Sequence, residues 1–391
     1  MNWQKRAEKV IPGGSQTYSK SSRYMTDPFF TTMALGSRIV TDEPTEHMNK
    51  EYVDYSMALG SIILGYKHKR WLTDLDIPHG FNFSTPHPLE VQVAEKLLEY
   101  FPHHDMVKFF KNGSDATEIA VRLARAYTGK DQVVWFNYHG FHDSYISCTE
   151  PAKGIPYNYR DSNWIGSNSW QYYKNEFSAF VVEPSHPDIE YISDFAKTNN
   201  IVLIFDEVLT GFRHGIGGLQ KYIGIEPDIT CLGKCMANGL PLSAVVGKKE
   251  IMNLVTEGVF ASSTMGGETL SLSACLQTIK ELELQPDYLW KIGKSWRDYA
   301  EGVIKSLQME DIVEVIGYAP RCGYKFKDLK HQSIYQHELK NRDIFVNGIN
   351  NFSLAHSAED ISYYCAMLDE VMPIVKEGNY DGKQISPIFK R

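Results

Sequence analysis

The chain has 391 residues, of which 43% are hydrophobic and 23% are charged, and this composition excludes an intrinsically disordered protein. The formal net charge of −8 does not indicate a general basic surface, so we expect no nucleic-acid partner, although a local basic patch stays open. Six scattered cysteines without a CxxC pair argue against a disulfide framework and favour a reducing, cytoplasmic compartment.

Membrane and metal sites are not predicted either. The N-terminal segment lacks the apolar core of a signal peptide. The most apolar stretch, from Met57 to Tyr66, is too short to span a bilayer. Cys231 and Cys235 have no matching pair at zinc spacing, so we interpret them as small buried residues.

The middle of the chain alternates short apolar runs with helical patterns. The predicted strands are 107–110, 133–136, 179–182, 201–205, 229–232 and 244–246. A helix is predicted over 114–127, with Gly129 at its C-cap, and a short crossover helix over 193–199. Unbroken apolar strands suit a sheet that is buried on both faces, which predicts an α/β core with a mainly parallel sheet.

The two ends of the chain differ from this middle part. Helical patterns cover 272–284, 288–307 and 358–371, and strand-like runs cover 312–316, 323–326 and 344–346. We therefore predict a large domain over 56–270. A smaller α+β domain would combine 1–55 with 271–391.

A glycine turn lies between the first of these strands and the first helix, in the segment Lys111 to Glu118. A turn that opens a helix exposes free N–H groups and the positive end of the helix dipole, which favours an anion at Gly113 and Ser114. The alternative is an ordinary N-cap with Ser114 or Asp115 as the capping residue. Neither a GxxxxGK[ST] loop nor a GxGxxG turn is present, which disfavours a nucleotide-dependent dehydrogenase.

An aromatic and histidine cluster follows the second strand, as Tyr138-His139-Gly140-Phe141-His142. Side chains at the carboxyl end of a strand lie where α/β sheets bind ligands, and Tyr138 could stack on a planar ring. The two histidines could make polar contacts or bind a metal. Because no third ligand is evident, metal binding is the weaker interpretation.

Two charged residues end later strands. Asp206 directly follows an apolar run, and a carboxylate there is costly to bury unless a cation such as a protonated pyridine nitrogen pairs with it. The alternative is an aspartate that caps the loop. Lys234 meets a turn rich in glycine and proline after another apolar run. A lysine beside apolar surface loses its proton more easily, as a Schiff-base nucleophile requires, although many such lysines simply lie on the surface.

The order and spacing of these segments resemble class III aminotransferases, the pyridoxal-phosphate enzymes of fold type I. Within them the chain is most similar to the glutamate-1-semialdehyde aminomutase branch. The segments that carry the resemblance include IPGG at 11–14, NGSDATEIAVRLARAYTG at 112–129, YHGFHDS at 138–144, LIFDEVLTGFR at 203–213, PDITCLGKCMANGLPLSAVVG at 227–247 and STMGGETLSLSA at 263–274. It implies a large domain with a seven-stranded, mainly parallel sheet flanked by helices, plus the smaller domain from both chain ends.

The resemblance also implies a role for each matching residue around the cofactor ring. Lys234 would hold pyridoxal phosphate as a Schiff base and then move a proton between the cofactor carbons. Asp206 would pair with the pyridine nitrogen. Tyr138 would stack on one face of the ring, and Val208 would pack on the other.

Further matches concern the phosphate and the surroundings of the site. Gly113 and Ser114 would hold the phosphate group. Thr264 would reach the phosphate of the neighbouring subunit, so the resemblance implies a homodimer as the smallest active unit. Glu183 and His139 would lie near the site, in contact with substrate or close to it.

Several departures from the aminomutase pattern bear on activity. Lys20 stands near the place where that branch carries an arginine that binds the substrate carboxylate, and a lysine does not replace a bidentate clamp. Gly267-Glu268-Thr269 replaces Gly-Asn-Pro, and the span from His139 to Glu183 is short where the gating loop would be. These differences favour a more open site.

The departures lead to a prediction of the reaction. We predict a ping-pong transaminase that moves an amino group from an amino donor to an aldehyde or ketone, such as a keto sugar, a sugar nucleotide or another biosynthetic carbonyl compound. The alternative enzyme is a glutamate-1-semialdehyde-type 2,1-aminomutase. A non-catalytic cofactor-binding protein is a further alternative, which the intact Lys234, Asp206 and Ser114 disfavour.

Overall fold

In the computed structural model the chain divides into two compact units. One unit combines Met1–Lys69 with Asp287–Arg391, and the other is Arg70–Pro286. The structure describes residues 3–26, 28–44, 49–75, 80–165, 170–173 and 176–386. Among these residues, no helix combines the length and the apolar character that crossing a membrane requires.

The units divide at other points than the predicted 55/56 and 270/271 boundaries, and contacts within each unit explain why. Residues after 55 belong with the C-terminal segment because Ser56 Oγ accepts a 2.6 Å hydrogen bond from the backbone of Asn347. The helix after residue 270 belongs with the central segment because the Trp71 indole donates to Thr278 Oγ1 at 3.0 Å.

Strands make up three sheets in the described residues. In chain order the strands are β1 Thr31–Leu35, β2 Arg38–Pro44, β3 Asn49–Asp54, β4 Met106–Phe110, β5 Gln132–Phe136, β6 Asn163–Ile165, β7 Phe177–Val182, β8 Val202–Glu207, β9 Ile229–Leu232, β10 Ser243–Gly247, β11 Val313–Tyr318, β12 Arg321–Phe326 and β13 Ile344–Phe345. The unit of Met1–Lys69 and Asp287–Arg391 contains a four-stranded sheet in the order β1-β2-β3-β13 and the β11-β12 hairpin.

Helices are distributed over both units. Those of eight residues or more are Trp3–Val10, Pro88–Tyr100, Gly113–Thr128, Ile189–Thr198, Thr269–Glu283, Tyr288–Leu307, Leu329–Lys340 and Ala358–Glu377. Shorter helical turns are Pro12–Gly14, Tyr18–Lys20, Met57–Gly60, Lys69–Thr73, Asp143–Ile146, Tyr157–Ser162, Trp170–Tyr173, Gly218–Ile223, Lys234–Ala237, Lys249–Met252 and Asn253–Thr256.

The seven-stranded sheet of the central unit has the order β4-β10-β9-β8-β7-β5-β6. All neighbouring strands are parallel except β10, which runs antiparallel to both β4 and β9. The prediction of an α/β fold with a mainly parallel sheet is therefore confirmed. Every residue of β7, from Phe177 to Val182, is buried, as expected for a strand covered on both faces.

The edge strand β6 was not predicted, because its three residues, Asn163 to Ile165, form no apolar run. The Asn163 side chain instead links it to its neighbours: Asn163 Oδ1 accepts from the Trp135 indole at 3.2 Å and from Arg125 at 3.0 Å. Strand β8 is longer than predicted and includes Asp206 and Glu207. The carboxyl ends of β4, β5, β7, β8 and β9 meet at one edge of the sheet, and the candidate site residues follow these ends.

Two glycines of the helix Tyr288–Leu307 allow a test of how closely this helix packs against its neighbours. A Cβ on Gly293 would lie 1.8 Å from the carbonyl oxygen of Ala319, whereas a Cβ on Gly302 would meet no atom within 4 Å. We expect Gly293→Ala to lower the free energy of unfolding by about 1–3 kcal/mol or more, because backbone must move. Gly302→Ala should raise it by about 0.5–1 kcal/mol. Urea unfolding measures the free energy of unfolding of both variants. Equal changes in the two variants would contradict the close contact of Gly293 with Ala319.

Candidate active site

The turn between β4 and the helix Gly113–Thr128 is an anion-binding arrangement. Asn112 lies just before the helix, and its backbone N–H donates to Asp115 Oδ2 at 3.2 Å. The first strand residue of β10 supports the turn from below, since Ser243 Oγ donates to the Asn112 carbonyl at 2.7 Å. Ser114 Oγ accepts from the backbone N–H of Phe141 at 3.3 Å, which leaves its own proton available to a phosphate oxygen.

Glycines bring the turns after β4, β8 and β9 into van der Waals contact. A Cβ on Gly113 would lie 2.6 Å from Val208 Cγ1. A Cβ on Gly233 would lie 3.2 Å from the same methyl group and 3.7 Å from the Cα of Gly113. The structure thus brings together Gly113, Val208 and Gly233, the residue before Lys234.

The turn after β5 closes on the phosphate turn in the same way. Gly140 has a φ of +120°, and a Cβ there would lie 2.6 Å from Ser114 Oγ. Glycine is therefore required at residue 140 both by its backbone conformation and by the approach of Ser114. These contacts leave a cradle of backbone around Gly113 and Ser114 with no side chain in it.

Asp206 lies near the end of β8 and is largely buried, with 13% of its side chain exposed. One carboxylate oxygen, Oδ1, accepts from the backbone N–H of Val208 at 3.0 Å. The other, Oδ2, lies 2.8 Å from His139 Nδ1. These contacts fix the plane of the carboxylate and stabilise its negative charge at the edge of the sheet.

His139 makes a contact that the sequence analysis missed. Its side chain is fully buried. Its Nε2 lies 2.5 Å from the carbonyl oxygen of Phe136, while its Nδ1 faces Asp206. Both nitrogens face acceptor oxygens, so a ring with a proton on each nitrogen satisfies both contacts. His139 therefore lies behind Asp206 rather than in the open part of the site, where the resemblance had suggested a substrate contact.

Tyr138 extends from the end of β5 with 56% of the residue exposed. Its ring meets Tyr145 edge-on, with centroids 5.5 Å apart and an interplanar angle of 83°. Partial burial and the charge of Asp206 raise the pKa of Tyr138, so the phenol stays neutral at physiological pH. The edge contact with Tyr145 orients the Tyr138 ring.

Lys234 begins the turn after β9 with strained backbone. Its φ of +45° lies in the left-handed region, and Asn238, four residues later, has a φ of +42°. Such a conformation costs a non-glycine residue about 1–3 kcal/mol and is concentrated at functional sites. Gly233, with a φ of 179°, is extended, so the strain lies at Lys234 itself.

The remaining predicted site residues lie in different settings. Glu183 follows β7 and accepts a hydrogen bond from the Ser185 hydroxyl. Thr264 is exposed in the loop before the helix Thr269–Glu283, and its carbonyl oxygen accepts from Asn82 Nδ2 at 3.3 Å. Lys20 is exposed in the turn Tyr18–Lys20, in the other compact unit of the chain.

Glu207, which sequence analysis did not single out, anchors the loop after β8. It is 1% exposed and accepts from the backbone N–H groups of Leu219 at 3.1 Å and Gln220 at 2.8 Å. The Thr210 hydroxyl donates to it as well. A Cβ on Gly218 would lie 2.3 Å from Glu207 Oε1, so the glycine allows the carboxylate to reach these donors.

Comparison with known proteins now defines the family. The model of the family described as "Aminotransferase class-III" matches residues 19–323. The chain belongs to the class III aminotransferases. It is 32% identical over 311 residues to a glutamate-1-semialdehyde 2,1-aminomutase from Methanobrevibacter smithii, covering 71% of this chain and 72% of that protein. It is 29% identical over 407 residues to a 3-aminobutyryl-CoA aminotransferase from Cloacimonas acidaminovorans, covering 95% and 96%.

The fold agrees with this assignment. The structure of the FumI protein from Sphingopyxis sp. MTA144 in a pyridoxal-phosphate form has a TM-score of 0.85 to this chain, at 24% identity, and covers 98% of each chain. The fold is therefore that of the fold-type-I enzymes, as predicted, and pyridoxal phosphate is the cofactor of this class III enzyme. The cradle at Gly113 and Ser114 suits its phosphate, and the anchored Asp206 suits a pyridinium nitrogen.

The contact of Gly113 with Val208 can be tested by a double-mutant cycle. Gly113→Ala should lower the free energy of unfolding, because the added methyl group overlaps Val208. Val208→Ala removes the overlapping atoms, so the double variant should recover about 1 kcal/mol relative to additivity. Denaturant unfolding of the four proteins gives this coupling energy, and a coupling of zero would contradict the contact.

Glu207 leads to a prediction about pH. Burial raises the pKa of Glu207 to about 7, although the hydrogen bonds from Thr210, Gln220 and Leu219 act to lower it. A carboxyl group with a higher pKa in the folded than in the unfolded state stabilises the fold at low pH and loses this contribution as pH rises through the folded value. The thermal unfolding midpoint should therefore fall from about pH 6 to about pH 8.

The variant Glu207→Gln should reduce this slope, since it removes the titrating group. Glu190→Gln, at an exposed position of the helix Ile189–Thr198, is the matched control and should leave the slope unchanged. Differential scanning calorimetry across the pH range compares the three proteins. An equal slope in Glu207→Gln and the parent protein would exclude Glu207 as its source.

Proposed function

We propose that this class III enzyme is a transaminase that moves an amino group from an amino donor to an aldehyde or ketone acceptor. The observation that carries the proposal is the Asp206–His139 pair at the end of β8, beside the strained turn of Lys234. Bound pyridoxal phosphate supplies an electron sink for negative charge at a substrate carbon, provided that its pyridine nitrogen is protonated. The residues of the chain have to bind the cofactor, orient its ring and keep the pyridine nitrogen protonated.

Lys234 would hold the cofactor through its Nζ. The same amine would carry the proton at the reacting carbon, because it lies within reach of both positions. The left-handed backbone at residue 234 supports this role, since it fixes the start of the side chain where β9 ends. Gly233, packed on Val208, leaves room for this geometry.

Asp206 keeps the pyridine nitrogen protonated. Its carboxylate is held by His139 and by the backbone of Val208, so it stays oriented in a largely buried position. An imidazole and a backbone N–H thus hold the two carboxylate oxygens in place, one on each oxygen. His139 acts through Asp206 and is a positioning residue, supported from behind by the Phe136 carbonyl.

The other residues hold the ring and the phosphate. Tyr138 would stack on one side of the ring, and Val208 would pack on the other. The backbone of Gly113 and the hydroxyl of Ser114 would hold the phosphate at the helix N-terminus. Thr264, which is exposed, would reach the phosphate of a second subunit in a homodimer.

The substrate is a carbonyl compound without a strict requirement for a carboxylate beside the amino group. Lys20 supplies a single point charge where the aminomutase branch has arginine, which supports acceptors such as keto sugars, sugar nucleotides or other biosynthetic carbonyl compounds. The similarity to a 3-aminobutyryl-CoA aminotransferase over 95% of the chain supports a transamination. The low cysteine content, with all six thiols free, supports a cytoplasmic location.

A 2,1-aminomutase is the second candidate, because relatives such as the Methanobrevibacter smithii protein carry that name. An aminomutase needs no external amino donor, whereas a transaminase does. Incubation with single amino donors should convert the cofactor to its pyridoxamine form, seen by absorbance. Turnover of glutamate-1-semialdehyde without any added amine would instead support the aminomutase.

Lys234 can be tested directly. Borohydride reduction of the yellow enzyme should fix the cofactor to the protein, and peptide mapping should find it on Lys234. Lys234→Ala should take up no reducible label and lose at least about 10⁴-fold in turnover, since it removes both nucleophile and proton carrier. Lys248→Ala, at another lysine after a strand of the sheet, is the control and should keep label and activity. Label on another lysine would contradict the assignment.

A further inference from the structure

An ion pair joins the phosphate turn to the loop that carries Thr264. Lys111 directly follows β4 and precedes the turn at Gly113. Its Nζ lies 2.8 Å from Glu268 Oε2, and each side chain is only 16% exposed. The pair thus joins two segments that lie 157 residues apart in the sequence.

The loop before Glu268 is fastened to the same part of the central unit. A Cβ on Gly266 would lie 2.6 Å from the carbonyl oxygen of Phe109, in β4. A Cβ on Gly267 would lie 2.6 Å from Glu90 Cδ, in the helix Pro88–Tyr100. Asn82 Nδ2 holds the carbonyl of Thr264. The loop thus lies flat against β4, and its outer side, with Thr264 and Met265, is exposed.

Glu268 also caps the helix Thr269–Glu283. Its Oε1 accepts from the backbone N–H groups of Leu270 at 2.7 Å and Ser271 at 3.2 Å. Burial by itself raises the pKa of Glu268, but the hydrogen bonds from Lys111 and Ser271 outweigh it, and the pKa of the carboxyl lies below its usual range. Glu268 is thus a charged residue that orients both the helix start and the loop.

We propose that the Lys111–Glu268 pair is a positioning device that ties the phosphate turn of one active site to the Thr264 loop that completes the active site of the partner subunit. The inference rests on the proposed function and on the homodimer proposed with it. Lys111 and Gly113 belong to the turn of the chain's own site. Thr264 belongs to the loop before Glu268 and is exposed. One ion pair therefore connects two cofactor phosphates through a single chain.

The role of the ion pair can be separated from that of the helix cap. Glu268→Gln keeps an amide oxygen for Leu270 and Ser271 but removes the charge that binds Lys111. Lys111→Met removes the ammonium group, and Lys111→Arg retains a cation. The matched control is Lys108→Met. Lys108 lies in β4, the strand that Lys111 directly follows, and it makes no ion pair among the described residues.

Heterodimers with a single labelled site show which site the pair serves. One protomer carries Lys234→Ala and its partner retains Lys234, so borohydride labels cofactor at one site only. Glu268→Gln is then placed either on the Lys234→Ala protomer or on the protomer with Lys234. The measurement is the rate at which borohydride-reducible cofactor at Lys234 disappears after dilution into a scavenger of free pyridoxal phosphate, with borohydride added to samples taken at successive times.

The proposal predicts loss about tenfold faster when Glu268→Gln lies on the Lys234→Ala protomer, the effect of one charge-assisted hydrogen bond. Lys111→Met on that protomer should speed the loss of cofactor as much as Glu268→Gln does. The double variant should lose cofactor little faster than either single variant. Lys111→Arg should lose it almost as slowly as the parent protein. Loss at the parent rate when Glu268→Gln lies on the Lys234→Ala protomer, or faster loss only when it lies on the protomer with Lys234, would overturn the proposal.

The parent protein and the control distinguish the possible failures. Absence of label from Lys234 in the parent protein would overturn the proposed function itself, whatever the heterodimers show. Label on Lys234 together with a strictly monomeric protein would overturn only the connection between sites. Lys108→Met should lose cofactor at the parent rate. If it lost cofactor as fast as Lys111→Met, removal of any lysine charge near β4 would explain the effect, and the role of the pair would be overturned.

Discussion

The site depends on three chain segments that pass within van der Waals distance of one another where β4, β8 and β9 end. Gly113, Val208 and Gly233 form this contact, and no side chain larger than hydrogen fits at either glycine without movement. The parallel arrangement of the strands brings their carboxyl ends to one edge. The two glycines let the phosphate turn and the Lys234 turn both approach Val208. This shared contact sets the distance between the two turns.

The second constraint is the charge of Asp206. A largely buried carboxylate is costly unless cationic or N–H donors surround it, and here His139 and the Val208 backbone supply them. His139 is in turn fixed by the Phe136 carbonyl, so β5 and β8 together orient one carboxylate. Asp206 therefore keeps one orientation, which is a condition for a stable contact with a pyridinium ring.

Much of this arrangement follows from the sequence, because buried parallel strands are unbroken apolar runs with functional residues at their ends. Asp206 and Lys234 were predicted on that basis. The His139–Asp206 contact could not be predicted, since it joins residues 67 positions apart through side-chain geometry. Strand β6 was missed because polar hydrogen bonds of Asn163 hold it rather than an apolar pattern. The unit boundary near residue 69 was not predicted, and contacts within a unit such as that between Ser56 and Asn347 join residues far apart in the sequence.

The central claim is that Asp206, positioned by His139, keeps the cofactor nitrogen protonated. Nitrogen-15 NMR of the enzyme loaded with pyridoxal phosphate labelled at the ring nitrogen measures this directly. The account predicts the chemical shift of a protonated nitrogen in the parent enzyme and of an unprotonated one in Asp206→Asn, with His139→Asn between them. An unprotonated nitrogen in the parent enzyme, or a protonated one that persists in Asp206→Asn, would contradict it.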